Sequence, residues 1–434
     1  MMISDAFSQL CENIKLNNLD EMRTTVGEIA KKLNNHYYNL SSDSSSHMYV
    51  VGSIGRETAI KNASDLDLLF DLPRSTFEKF DQYESNGQSA LLQEVKDVLK
   101  ERYPKTEISG DGQVVVISFV KYTVELVPGF KEDDDTFTYP DTHDGGKWKI
   151  TNPLAEQTEC SECDKRSNEN YKHFCRIIRS LRNHIGFSMS GLLIDTLVYN
   201  HFENNGDYSE SSFDDYFDIL KNVLFYMKGL DKDQSYWLAV GSNQQVYNTD
   251  NGSWIDDVAD AYGTIRDETS SSNTVQEKLR DLFGSDFPDD SYQENATRKV
   301  FSQISNEEQF IEQMFPIDIK YSLHLECKVT QDGWRPAFLR EMLRRHQWLS
   351  HNKSLDFFIE HCNCPHPYDI YWKVRNVGQE AERRNMIRGQ IVKTDSTKHH
   401  ERTSFYGPHY VECYIVKDGL CVAKDRIDVP INWG

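Results

Sequence analysis

Residues 52–67 read GSIGRETAIKNASDLD, and the fold of the chain turns on them. The apolar run Met48, Tyr49, Val50, Val51 just before Gly52-Ser53 predicts a short strand. After a polar stretch, Asp65-Leu66-Asp67 runs on into Leu68, Leu69 and Phe70, which predicts a second strand. Side chains alternate along a strand, so Asp65 and Asp67 share one face while Leu66 and Leu68 turn to the core. Two neighbouring carboxylates at a strand tip repel each other unless a cation sits between them. Mg²⁺ held by carboxylates and substrate phosphates satisfies that condition. The upstream Gly52-Ser53 turn can bring backbone N–H groups and a hydroxyl to those phosphates.

A two-metal site needs a third carboxylate. Val114–Val120 and Thr123–Val127 read as strands joined by Lys121-Tyr122, and Glu125 lies inside the second, between Val124 and Leu126. A charge in so apolar a strand is costly unless paired or bound to metal. Asp-x-Asp alone usually marks a turn or a solvated face. Combined with Gly-Ser upstream and a strand acid followed by Leu-Val-Pro, it points to metal-dependent phosphate chemistry at Asp65, Asp67 and Glu125.

At these residues the chain resembles the DNA polymerase β-like nucleotidyltransferases. More closely it is similar to the branch of oligoadenylate synthase, cyclic GMP-AMP synthase and the bacterial CD-NTases, whose core domain is called SMODS. Glu125-Leu126-Val127-Pro128-Gly129-Phe130 is similar to that branch's third-carboxylate strand, with Glu where Asp is commoner. The resemblance continues through Tyr139-Pro140-Asp141, Gly145-Gly146-Lys147-Trp148, Thr151-Asn152-Pro153, the segment Cys175–His184 and SGLLIDTL from Ser190. It implies that Arg179 and Arg182, at the positions of an R-x-x-K pair, contact a nucleotide triphosphate. Ser190 opens a predicted helix, where its hydroxyl either caps the N-terminus or touches a phosphate.

Composition agrees. The 434 residues allow two or three domains. A formal charge of −21 argues against coating long nucleic acid but not against Mg²⁺-neutralised nucleotides. No apolar run reaches membrane-span length, MMISDAFSQL lacks signal-peptide layout, and nine scattered cysteines suit a reducing cytoplasm. Cys160-x-x-Cys163 and the crowded His361–His366 run have no matching zinc-ligand partners and read as ordinary thiols and imidazoles.

Residues 1–40 predict amphipathic helices before a Ser-rich break at 41–46. Helices are also expected at Ser89–Tyr103, Tyr171–His184, Ser190–Phe202, Phe213–Met227 and Gln276–Phe283. Near the end, Tyr368–Val374, Met386–Val392, Tyr410–Val416 and Cys421–Val429 read as strands, with turns at Gly378, Gly407 and Gly419, which favours a small β-sandwich. Residues 371–381, 387–391 and 409–426 resemble the adenylyl/guanylyl cyclase and SMODS C-terminal sensor domain. That resemblance implies a ligand-sensing role, for which Trp372, Arg375, Asn376 and His409 are candidates.

The expected architecture is α/β: a polymerase β-like nucleotidyltransferase core with N-terminal helices (1–165), a helical oligoadenylate synthase-like lobe (166–330) and an all-β, sandwich-like sensor domain (331–434). The expected activity is synthesis of a cyclic di- or oligonucleotide second messenger from NTPs, ATP or GTP foremost, with two Mg²⁺ ions (or Mn²⁺) at Asp65, Asp67 and Glu125. Gly52, Ser53, Arg179, Arg182 and Ser190 would bind nucleotide. The setting would be cytoplasmic antiphage (CBASS-type) signalling through an effector that is not physically bound, with no membrane. Nucleotide transfer to RNA or protein, and a catalytically silent nucleotide sensor, remain open alternatives.

Overall fold

The computed structural model describes residues 1–40, 45–204, 206–248, 250–288, 309–330, 336–345, 347, 349–350, 353–377, 381, 388–403 and 406–431. The expected turn at Gly378, the first two residues of the strand expected at Met386–Val392, and most of the 41–46 break lie outside them. The chain divides into two compact units: Met2–Arg179 with Ser190–Asn248, and Ser180–Met189 with Thr249–Gly434.

The first unit opens with helices α1 (Ile3–Asn13) and α2 (Leu19–Tyr38). Strand β1 (Met48–Val50), the one-turn helix α3 (Gly52–Gly55) and strand β2 (Asp65–Asp71) follow. Helices α4 (Arg74–Asp81) and α5 (Gly87–Arg102) lead to β3 (Glu107–Asp111), β4 (Val114–Ser118), β5 (Thr123–Lys131), β6 (Phe137–Asp141) and β7 (Lys147–Thr151). These strands make one sheet in the order β1-β2-β5-β4-β3, with β6 joined to β5 and β7 to β6. Only the β2–β5 pair is parallel among them.

One face of the sheet is apolar and covered. Leu66, Leu68, Val115, Ile117, Val124 and Leu126 pack with Ile29 and Leu33 of α2 and Leu91, Val95 and Leu99 of α5. Full burial of each aliphatic side chain contributes about 1.5–3 kcal/mol, so the alternation in β2 and β5 fixes which face looks away from these helices. Two strand ends differ from the expected ones. β4 stops at Ser118, because Phe119–Tyr122 forms the hairpin turn and Val120 is fully exposed. β5 runs past Pro128, where β4 pairing has ended at Val115 and β6 pairing has not begun. The Gly129 carbonyl accepts from Leu72 N–H on the β2 side, so the proline nitrogen points to the vacated side, where no ladder donor is needed.

Helices α6 (Pro153–Arg166), α7 (Asn170–Ile185), α8 (Gly191–Asn204) and α9 (Tyr216–Lys228) follow, with a small hairpin of β8 (Tyr236–Leu238) and β9 (Gln245–Tyr247). The last residues of α7 belong to the second unit. Helix α6 was not among the expected helices, because its sequence shows little amphipathic pattern. Its start signals were present: Asn152 Oδ1 accepts from Ala155 N–H, and Pro153 sits in the first turn.

In the second unit, α10 (Trp254–Ile265) and α11 (Val275–Phe283) precede a sandwich. Its strands are β10 (Leu323–Thr330), β11 (Ala337–Phe338), β12 (Ser354–Cys362), β13 (Asp369–Arg375), β14 (Arg388–Thr394), β15 (Lys398–Arg402), β16 (Gly407–Lys417) and β17 (Leu420–Ile431). They form two antiparallel sheets, β11-β10-β12-β15 and β14-β13-β16-β17. Leu325, Cys327 and Phe357 of the first share a core with Trp372, Val411, Cys413 and Ile427 of the second. Asp418 and Gly419, with φ of 51° and 79°, turn the β16–β17 hairpin. Gly407 makes no such turn. It opens β16 at φ 154°, and a Cβ there would lie 2.2 Å from the Val377 carbonyl.

Candidate active site

In the parallel β2–β5 pair, Asp67 lies opposite Glu125 and Asp65 opposite Thr123. Paired residues project to the same side, so all three acids share the face turned away from α2 and α5. They are half-buried, whereas Leu66, Leu68, Val124 and Leu126 between them are at most 1% exposed. Ser64 Oγ donates to Asp65 Oδ2 at 3.1 Å.

The turn after β1 is fitted to this face. Val51 N–H donates to the Asp67 carbonyl at 2.9 Å, which carries α3 over the strand tip. Gly52 has φ +62°, and a Cβ built on it would lie 1.8 Å from Asp67 Oδ2. The Asp67 carboxylate therefore occupies the space a side chain at 52 would need. The Ser53 carbonyl accepts from Thr58 N–H (2.9 Å) and Ala59 N–H (3.1 Å), closing the loop behind the turn. Gly52→Ala is expected to displace Asp67 and to lower the metal-dependent phosphate chemistry expected at these acids by about 100-fold or more with the fold intact. Pyrophosphate release alongside a far-ultraviolet dichroism spectrum checks this, and a near-native rate would detach Gly52 from the site.

Among the described residues, no three carboxylate, imidazole or thiol side chains are drawn together closely enough to grip a metal ion as they stand. The donor set still suits Mg²⁺. It is all oxygen, lies on one face of adjacent strands, and Mg²⁺ keeps waters and takes up substrate phosphates in place of a complete protein cage.

The arginine called from the sequence in this unit is spent elsewhere. Arg179 is 3% exposed, and its guanidinium donates to both oxygens of Asp195 (2.5 and 2.8 Å), to the Gly191 carbonyl (2.9 Å) and to the Cys175 carbonyl (3.2 Å). Asp195 also accepts from Arg56 Nε and Thr58 Oγ1, each at 2.9 Å, and Arg56 reaches Glu156 at 2.9 Å. Burial by itself would raise the Asp195 carboxyl, but Arg179 and Arg56 outweigh it and hold the group at about 2. This closed network anchors Arg56, the residue that ends α3. Ser190 Oγ accepts from Leu193 N–H at 3.2 Å, the bond of a helix cap. In the second unit, Arg182 donates to the Met189 carbonyl and to Asn183 Oδ1.

Two cations on α7 escaped the sequence reading. Lys172 Nζ meets Glu57 Oε2 at 2.6 Å, and Arg176 donates to the Glu57 carbonyl at 2.8 Å. They brace the loop that follows Gly52-Ser53. Their i, i+4 spacing on one helix face is the sequence signal for them, one that the R-x-x-R pattern of Arg179 and Arg182 does not contain. Cys160 and Cys163 are buried on α6, and burial pushes the Cys160 thiol up to about 12.

The profile of the Second Messenger Oligonucleotide or Dinucleotide Synthetase (SMODS) domain matches residues 1–164, and that of the Adenylyl/Guanylyl and SMODS C-terminal sensor domain matches 305–432. No curated protein matches the chain. Among solved structures, CdnC of E. coli MS115-1 with ATP aligns at TM-score 0.51 and 16% identity, covering 67% of this chain and 99% of that one. The CdnC:HORMA-deltaN complex from the same source aligns at 0.50 and 15%, covering 66% and 98%. These likenesses establish the polymerase β-like fold. The chain therefore carries a SMODS domain, the catalytic domain of a second-messenger nucleotidyltransferase, followed by the sensor domain named for accompanying it, and it shares its fold with CD-NTase structures.

Proposed function

We propose that the enzyme joins NTPs into a cyclic di- or oligonucleotide second messenger, with Asp65, Asp67 and Glu125 as its catalytic, metal-holding acids. The observation that carries this reading is the register placing Asp67 beside Glu125, with Asp65 on the same face and Gly52 fitted against Asp67. In each transfer a ribose hydroxyl oxygen bonds to the α-phosphorus, the hydroxyl proton is lost, and pyrophosphate leaves with the bridging oxygen. Two Mg²⁺ ions bound to the acids would lower the hydroxyl pKa and neutralise charge on the phosphates. Glu125 and Asp67 orient that region from adjacent strands. Gly52 and Ser53 offer the turn to the triphosphate, while Arg56, Lys172 and Arg176 keep the turn in place. Arg179 supports this arrangement through Asp195, and direct triphosphate contact by Arg182 or Ser190 would require them to leave their present partners.

Within this reading, residues 1–165 carry the chemistry and the C-terminal sandwich, which begins with β10 and not after residue 330, regulates. The product would act on a separate effector in cytoplasmic antiphage signalling. Among the described residues no helix is long and apolar enough to cross a membrane. Calorimetric titration with non-hydrolysable ATP and GTP analogues, with and without Mg²⁺, tests the site. Binding that requires Mg²⁺ and is lost on Asp67→Asn is expected. Binding indifferent to both would overturn the assignment.

A further inference from the structure

Strand β12 carries an extra residue opposite β10. His324 pairs with His361 and Leu325 with Ile359, so Glu360 has no opposite number and the ladder bulges there. Leu323 and Leu325 of β10, with Ile359 and Cys362 of β12, pack into the sandwich core. Side chains alternate along a strand, so His324 projects from the outer face. The bulge then sets two residues, Glu360 and His361, against that one imidazole. His324, Glu360 and His361 are all exposed.

The spacing is that of metal ligands. His324 Nε2 lies 3.6 Å from Glu360 Oε2, longer than an N–H···O hydrogen bond. Two donors bonded to one tetrahedral zinc ion at ~2.0–2.2 Å stand about 3.3–3.6 Å apart. Directly opposed residues of an antiparallel pair have Cβ atoms about 4.5–5.5 Å apart, which puts the His361 ring within reach of the same point. The other nitrogen of His324, Nδ1, lies 3.8 Å from Asp425 Oδ2. That carboxylate is fixed by Leu325 N–H (2.7 Å), Arg426 N–H (2.7 Å) and Arg340 (2.6 Å). A metal-bound imidazole turns its second nitrogen towards such a group, which orients the ring. Among the described residues no three such side chains converge as they stand, so the ion has to draw the His361 ring in, a rotation that an exposed side chain makes without disturbing the core.

We infer that this bulge is a site for a divalent transition-metal ion, Zn²⁺ foremost, held by His324 Nε2, Glu360 and His361 with water in the fourth position. Two imidazoles and one carboxylate suit Zn²⁺ and not Mg²⁺, which takes oxygen ligands. The bound ion clips β10 to β12. The sequence shows no partner for His361 because only the β10–β12 pairing brings His324 beside it. The ligand candidates read from the sequence in this domain are engaged elsewhere. Trp372 is core, with Nε1 donating to the Ser396 carbonyl at 3.1 Å, Arg375 donates to the Asn376 carbonyl, and His409 Nδ1 accepts from Val377 N–H. The inference is independent of the reading of Asp65, Asp67 and Glu125.

The test uses the full chain carrying Asp65→Asn and Asp67→Asn, stripped with chelator and desalted, so that those acids do not compete for metal. Zn²⁺ is titrated against a chromogenic chelator, and Co²⁺ binding is followed by absorption. One Zn²⁺ should bind with a Kd below about 10 μM, and amide exchange should slow at 323–328 and 357–362. His324→Ala, His361→Ala and Glu360→Gln should each weaken binding about tenfold or more, whereas Cys362→Ser should leave it unchanged. Bound Co²⁺ should show visible bands without near-ultraviolet thiolate absorption. If His324→Ala fails to fold, Glu360→Gln and His361→Ala provide the same comparison. The proposal is overturned if no Zn²⁺ saturates in that range, if the three substitutions leave the affinity unchanged, if Cys362→Ser abolishes binding, or if protection falls outside β10 and β12.

Discussion

Asp195→Ala should destabilise the catalytic unit by about 3–5 kcal/mol, because it leaves two buried guanidinium groups without their shared anion. Arg179 and Arg56 are 3% and 6% exposed, and Asp195 is fully buried, so water does not replace the lost partner. Glu156 remains for Arg56, but Arg179 would keep only backbone carbonyls. The pH dependence has a definite sign. The Asp195 carboxyl titrates at about 2 in the fold, below the roughly 3.9 of an unfolded aspartate. Its contribution is therefore complete above about pH 4 and fades as pH falls towards 2. Wild type and variant should accordingly converge in acid. Denaturant unfolding at pH 7 and pH 3 measures both effects, and a loss below about 1 kcal/mol at pH 7 would mean the network is weak.

The second large effect is catalytic. Asp65→Asn with Asp67→Asn should abolish synthesis, by more than about 100-fold, and leave unfolding unchanged within about 1 kcal/mol. Carboxamides keep the shape of the strand tip but not the charge that holds cations. Both side chains sit on the half-buried face, so the apolar packing of Leu66 and Leu68 is untouched. Turnover within a few-fold of wild type would remove these acids from the mechanism. A collapse in stability would make them structural.

The acid face was legible because period-2 alternation is a local property. Asp65, Leu66, Asp67 and Leu68 fall on the sides that their spacing dictates, as do Val124, Glu125 and Leu126. What brings Asp67 beside Glu125 is a parallel pairing across more than fifty residues, which spacing alone does not contain. Gly52 showed a turn, yet its closest constraint is the Asp67 carboxylate, a contact made only in three dimensions. The triphosphate role expected for Arg179 came from a motif. The motif says nothing of Asp195, sixteen positions on and buried against it. In the C-terminal region the hydrophobic strands β13, β16 and β17 stood out, whereas β10 and β12 carry charges such as Lys328 and Asp356 and were passed over. A truncation near residue 320, natural if the sandwich began later, would cut into it: Asp318 N–H and Lys320 N–H donate to the Cys421 and Val422 carbonyls.

The central claim is that this chain makes cyclic nucleotide bonds from NTPs at Asp65, Asp67 and Glu125. Its most direct test is incubation of the purified full chain with all four labelled NTPs and Mg²⁺ or Mn²⁺, followed by phosphatase treatment and mass spectrometry. The account predicts a metal-dependent, phosphatase-resistant product whose mass is a whole number of nucleoside monophosphates less one water per linkage, absent from the Asp65→Asn, Asp67→Asn protein. Labelled phosphate released entirely by phosphatase, or label transferred only when RNA or a protein acceptor is added, would contradict it.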